Sequence, residues 1–309
     1  MIDHRLTTLR TFASCGTIAA TAELTGFSPS AVSAQLREFQ RSLGMTLLVK
    51  DGRNLRLTAT GRDLVNRSDA VVVEWERTRA AALSAGQQTQ RRFGIGGFST
   101  AAANLLAPLA ANLRVMRPEV QVGVIEADPE RCLKLLTAER LDLAVIVAAQ
   151  ADPTPGESAF ERIELLTDPL DVMMPSAHPL AQRESVTLEE LAGEDWITDA
   201  EGGPYQALFV AAFASVGLSP RVLHEAIEWE TAMALVGAGL GLGLLPRLVS
   251  VDRVPNVARV RLAGSVRSSR RILAVVRRGS AESPLVAESL ETLRDIAKAI
   301  MHERLLSEI

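Results

Sequence analysis

Apolar positions in the first 60 residues follow helical spacing in short runs broken at Gly16, Gly26 and Gly44. That spacing predicts short packed helices. A different texture follows, where Leu47–Val49 and Leu55–Thr58 flank Asp51-Gly52-Arg53-Asn54. An Asp-Gly pair between apolar stretches is a hairpin signal. From Thr60 to about Gln88 there is no proline, and no glycine between Gly61 and Gly86. Leu64, Ser68, Val71, Trp75, Thr78 and Ala82 alternate spacings of four and three, a weak heptad stripe on one long helix. Such a helix either packs on its own domain or also pairs with another chain, and pairing is the favoured reading. Beyond Arg91 strand-like runs alternate with helical ones. Phe93–Phe98, Val120–Glu126 and Leu141–Val147 predict strands, with helices over Ala101–Met116 and Pro129–Ala138. A second series runs strand Arg162–Met174, helix Pro204–Val216, strand Arg221–Ala226 and helix Trp229–Gly237. Strands Val257–Leu262 and Arg271–Arg277 and a closing helix Pro284–Leu306 complete it, with a loop at 150–156. Alternation of this kind predicts βαβ units and a parallel sheet.

The sharpest local signal is Ser28-Pro29, an N-cap hydroxyl before a proline at the first helical position. Gly26 supplies the turn out of the preceding helix, Ile18–Thr25. Wound at about 100° per residue, the next segment puts Val32, Leu36, Phe39 and Leu43 on one stripe. Ser30, Ser33, Ala34, Arg37 and Arg41 fall on the other. That second face is small near its start and basic further along. Small residues let a helix sit deep in a major groove, and Arg reaches phosphates or guanine edges. A solvated surface helix would look the same in isolation. The basic hairpin with Lys50, Arg53 and Arg56 decides for duplex DNA, because a basic wing beside such a helix is the winged-helix arrangement.

Charge supports that division. Through Thr60 there are seven basic and four acidic residues, net +3, within a chain whose formal charge is −4. A basic head on an acidic body means that only the head meets polyanions. At 309 residues the chain suits two or three domains. Cys15 and Cys132 have no ligand-like spacing and read as two unrelated thiols instead of a redox pair. The first residues carry charges and no apolar signal core, and the longest apolar run, Ala232 to Leu245, is interrupted by glycine. These features predict a cytoplasmic protein without a membrane span.

The stretch Leu9 to Gly61 resembles the DNA-binding domain of LysR-type regulators. The likeness is carried by Phe27-Ser28-Pro29-Ser30-Ala31-Val32-Ser33-Ala34-Gln35-Leu36, Leu43-Gly44, Leu47-Leu48, Leu57-Thr58 and Thr60-Gly61. The resemblance implies DNA contacts from Ser30, Ser33 and Ala34 and, in the wing, from Arg53. The chain departs from it at Ala34, where the family often has Arg, at Pro29, where it often has Gln, and at Phe39-Gln40, where it often has Leu-Glu. The site expected for DNA is Ser28, Pro29, Ser30, Ser33, Ala34, Arg37, Lys50, Arg53 and Arg56.

More loosely, the remainder resembles the periplasmic-binding-protein-like effector domain of the same family, in which a small effector binds between two α/β lobes. The resemblance implies a multidomain fold: a largely α-helical winged helix-turn-helix (1–60), a long linker or dimerisation helix (61–89) and a two-lobed α/β domain (90–309). Lobe I would comprise 90–163 and 265–309, and lobe II 164–264. A homodimer or homotetramer paired through the linker helix follows. Ser99 and Thr100 open the first helix of lobe I and match the family's effector-contact position. They also read as a simple cap. Glu201 and Gly202 occupy the corresponding turn of lobe II, and Glu126 and Asp128 end a strand beside the same cleft. Acids there would suit an amine or a cation, or would point to solvent.

Rival classes fare worse. The four histidines, His4, His178, His224 and His302, have no metal-ligand spacing, and no P-loop or nucleophile elbow is present, so neither an enzyme nor a cofactor is expected. Gly237, Gly239, Gly241 and Gly243 alternate strictly and lack the dinucleotide-loop form, reading instead as a helix end before a buried strand stopped by Pro246. A free-standing solute-binding protein would have an export signal and no basic head. The expected partners are double-stranded DNA, a small-molecule effector and further copies of the chain.

Overall fold

Three short helices build the head: α1 (His4–Cys15), α2 (Ile18–Thr25) and α3 (Pro29–Leu43). Gly16, Gly26 and Gly44 take left-handed backbone at their C-termini, with φ near +77° at Gly26, a conformation other residues resist. The Ser28 hydroxyl accepts from the Ala31 amide at 3.2 Å, so the expected cap forms. Leu9, Phe12, Ala22, Val32, Leu36, Phe39, Leu47 and Leu48 make one buried cluster behind α3. The hairpin β1 (Leu48–Asp51) and β2 (Asn54–Leu57) pairs Asp51 with Asn54 across a two-residue turn. The long helix α4 runs Ala59–Ala85 and packs so closely at its start that a Cβ on Gly61 would lie 2.3 Å from the Leu47 carbonyl oxygen.

The computed structural model describes residues 3–306 apart from 53, 86–91, 149–158, 201–202, 204, 252–253 and 265–267. The loop expected at 150–156 lies outside the described residues. The chain forms two compact units, 1–165 with 273–297 and 166–272 with 298–309. The expected lobes changed at 163/164 and 264/265. The crossings instead fall inside two long strands, β6 (Phe160–Pro175) and β12 (Ser269–Arg277), so 268–272 goes with the second unit, as does the chain from 298, both expected in lobe I.

In the first unit, parallel strands β4 (Gln121–Glu126), β3 (Arg92–Gly97) and β5 (Leu143–Val147) lie side by side in that order. The helix after β3 starts at Ser99, two residues before the expected Ala101. It runs through α5 (Ser99–Ala101), widens to a π-turn over Ala102–Leu106 and continues as α6 (Ala107–Met116). Helix α7 (Pro129–Thr137) is capped by Asp128. Leu24 of α2 is buried with Cys132, Leu135 and Leu136 of α7. An ion pair Arg131–Glu23 at 2.9 Å and a bond from the Arg140 guanidinium to the Leu24 carbonyl at 3.3 Å hold the head to that helix.

In the second unit, β10 (Leu242–Pro246) pairs antiparallel with β6 and parallel with β8 (Asp195–Thr198), and β8 pairs with β9 (Arg221–Glu225). Strand β11 (Val257–Leu262) pairs with β6 and with the short β7 (Ser185–Val186). Helices α8 (Gln206–Ala214) and α9 (Trp229–Gly237) accompany this sheet. Trp196, Phe209 and Phe213 pack edge-on in its core. Asp171 is fully buried and takes both Arg247 and Arg259 as partners, which the sequence pattern does not reveal. Helix α10 (Pro284–Leu306) closes the chain.

Candidate DNA-reading face and effector pocket

Helix α3 is positioned by its rear face. Val32, Leu36 and Phe39 are buried in the head, whereas Leu43, expected on the same stripe, is 39% exposed because the helix ends there at Gly44. The opposite face is bare. Ser28, Pro29, Ser30, Ala34, Arg37 and Arg41 are exposed, and Ser33 is half-buried. The Ser28 and Ser30 hydroxyls stand 2.9 Å apart at the N-terminus of α3, where unpaired amides and the helix dipole favour an anion. In the hairpin Lys50 and Arg56 are exposed, and Arg56 makes a solvent-facing contact with Asp51 at 3.6 Å. Arg53 lies outside the described residues.

The linker helix α4 uses its own face toward the rest of its unit. Ser68, Glu76 and Ala80 are buried there, and Arg10 of α1 pairs with Asp69 at 2.6 Å. Val71, Thr78 and Ala82 of the heptad stripe remain exposed. The stripe is therefore split: Ser68 is buried and Leu64 and Trp75 are half-buried toward their own unit, whereas the other three positions stay uncovered. Glu76 is the pivot: Arg277, at the end of β12, meets it at 2.9 Å and Asp142 at 3.0 Å, and also donates to the Leu136 and Leu141 carbonyls. Burial disfavours the Arg277 charge, but the surrounding carboxylates of Glu76, Asp142 and Glu139 outweigh it and raise its pKa.

The residues expected at the effector site are not all alike. Ser99 is exposed and does not cap its helix, since the cap position is Phe98 and makes no side-chain bond. The Thr100 hydroxyl is buried and has no hydrogen-bond partner among the described residues. Glu126 is exposed, and Asp128 accepts the Arg131 amide at 2.8 Å, so one of its oxygens serves α7. Glu201 and Gly202 lie outside the described residues.

The second unit holds a pocket of about 30 Å³ lined by Asp199, Tyr205, Ile227 and Trp229, with apolar walls from β6, β8 and α8. Asp199, which sequence reasoning missed, follows β8 and is 7% exposed. Its Oδ2 accepts the Tyr205 amide at 3.0 Å, while its Oδ1 accepts nothing among the described residues. Burial pushes its carboxyl pKa up, partly opposed by the Tyr205 amide. Its only sequence signal is a place at a strand end.

Family models match both halves of the chain. Residues 4–62 match the bacterial regulatory helix-turn-helix protein of the lysR family, and residues 86–298 match the LysR substrate binding domain. The chain belongs to the LysR family. It is a DNA-binding transcriptional regulator with an effector-binding domain, and the reading as a free-standing solute-binding protein falls away. CatR of Pseudomonas putida is 31% identical to this LysR-family chain, over 90% of it and 93% of CatR. The Hca operon transcriptional activator HcaR of Escherichia coli is 27% identical over 91% and 90%. Among solved structures, full-length OxyR from Pseudomonas aeruginosa superposes with a TM-score of 0.67 at 19% identity, over 96% of this LysR-family chain and 95% of OxyR. That likeness shows the fold. In this chain burial, with Asp128 adding to it, pushes the Cys132 thiol up to about 12, which leaves it protonated and unreactive at neutral pH. Among the described residues no helix is long and apolar enough to cross a membrane.

Proposed function

We propose that this regulator reads duplex DNA with the exposed face of α3 in the major groove. Ser30, Ser33, Ala34 and Arg37 meet base edges and flanking phosphates there. Ser28 and Pro29 bring the helix N-terminus to a phosphate, and Lys50, Arg53 and Arg56 hold the backbone from the wing. The observation that carries this reading is the bare polar face of α3 opposite a rear anchored by buried Val32, Leu36 and Phe39. A dyad-related site requires two such heads, and the exposed Val71, Thr78 and Ala82 of α4 support pairing of two chains along that helix. Dimers of this kind, or pairs of them, act in the cytoplasm by binding instead of catalysis. Ser99, Thr100, Glu126 and Asp128 in the first unit, and Glu201, Gly202 and the Asp199 pocket in the second, are the residues we assign to effector response. An effector acts by binding one arrangement of the protein better than another.

Salt titration of duplex affinity tests the wing. The Arg53→Ala variant is expected to bind more weakly to all sequences, with the log–log salt slope shallower by about one. An unchanged slope would remove Arg53 from the phosphate contacts.

A further inference from the structure

We propose that the pocket at Asp199 receives a protonated primary amine, so that the effector of this regulator is an amine-bearing small molecule. The inference deepens the effector-responsive reading above and rests on it. A carboxylate more than nine-tenths buried, with one oxygen unmatched among the described residues, is costly, because a buried acceptor without a donor loses its hydration for nothing in return. Groups left in that state are candidates for completion by a ligand. The remaining walls narrow the chemistry. Among the described residues no basic side chain lines the pocket, and its other members are apolar or aromatic apart from the Thr198 hydroxyl. Tyr205 and Trp229 meet edge to face with ring centroids 4.6 Å apart, and aromatic faces attract an ammonium.

The nearby cation belongs to another pair. Arg270 donates to the Tyr205 hydroxyl at 2.6 Å, but its charge is matched by Asp168, which its Nε meets at 2.9 Å. Asp199 is therefore not neutralised from that side. Size sets the last limit. A volume of about 30 Å³ holds one or two water-sized groups, enough for an ammonium and its first methylene. The pocket thus grips a head group while the rest of the ligand extends outward. An ammonium offers three donors and places one on Asp199 Oδ1. A carboxylate head would face an acid instead.

The full-length protein is titrated with n-propylammonium, and with propionate and n-propanol as controls of the same length, at constant ionic strength. Thermal unfolding and tryptophan fluorescence are the readouts. At a ceiling of about 1.5 kcal/mol per heavy atom, four atoms bind no tighter than roughly tens of micromolar, so the titration runs to about 0.1 M to cover weaker binding. The amine is expected to raise the unfolding temperature of the wild type, and the two controls to leave it unchanged. In Asp199→Asn the affinity for the amine is expected to fall at least about tenfold. The amide oxygen can still accept from the Tyr205 amide, so a purely structural role predicts an unaltered response. Trp229→Leu, which removes one ring, is expected to weaken the amine severalfold. An equal response to propionate or propanol, no response to the amine, or full retention of it in Asp199→Asn would overturn the assignment. Duplex binding by the wild type without amine reports separately on the regulator reading, which stands or falls on that result alone.

Discussion

Arg277→Met is expected to destabilise the first unit by about 3–5 kcal/mol, since removing one member of a buried ion pair strands the other. Glu76 is 4% exposed, loses the partner that meets it at 2.9 Å and is left with the longer contact to Arg79 at 3.6 Å, while Asp142 and two carbonyls lose donors in the same step. At roughly 2–4 °C per kcal/mol for a unit of this size, the unfolding temperature should drop by about 10 °C. The double variant Glu76→Gln with Arg277→Met removes the stranded charge and should recover part of the loss. Calorimetry of the three proteins checks this. A single variant as stable as the wild type would mean that the linker helix is not tied to β12 through this pair.

Ser30→Asp should leave the fold intact and abolish tight DNA binding. A carboxylate in the first turn of α3 suits the helix dipole, so the unfolding temperature is expected to stay level or rise slightly. The same carboxylate on the bare face meets phosphates. Like charges brought together at an interface cost several kcal/mol, and about 1.4 kcal/mol is tenfold in affinity. A loss of about a hundredfold or more is expected by fluorescence anisotropy on a duplex that the wild type binds. Retained affinity would place that end of α3 away from the DNA.

Elements with strong local punctuation were legible in the sequence. Trp229–Gly237, Val257–Leu262 and Pro284–Leu306 form over the residues that periodicity and flanking glycine or proline predict. The Ser28 cap and the two faces of α3 follow from spacing alone, apart from Leu43 in the last position before the Gly44 cap. Strands β7 and β8 escaped because two and four residues are too few to show alternation. β8 owes its conformation to pairing with β9 and β10, a tertiary cause.

The candidate sites divide along the same line. The DNA face is local, a single helix whose polar stripe can be wound from the sequence. The Asp199 pocket is not, because its unmatched oxygen exists only once β8, Tyr205 and Trp229 are brought together. Arg277 and Glu76 stand 201 positions apart, so nothing in either neighbourhood announces the pair.

Selection from a random duplex library, carried out in parallel with the wild type and with a Ser30→Ala, Ser33→Ala, Arg37→Ala triple variant, tests the α3 assignment most directly. The wild type should enrich a motif with two related half-sites. The variant, still folded by its unfolding temperature, should enrich none or a different one. Enrichment of the same motif by both proteins would contradict the account.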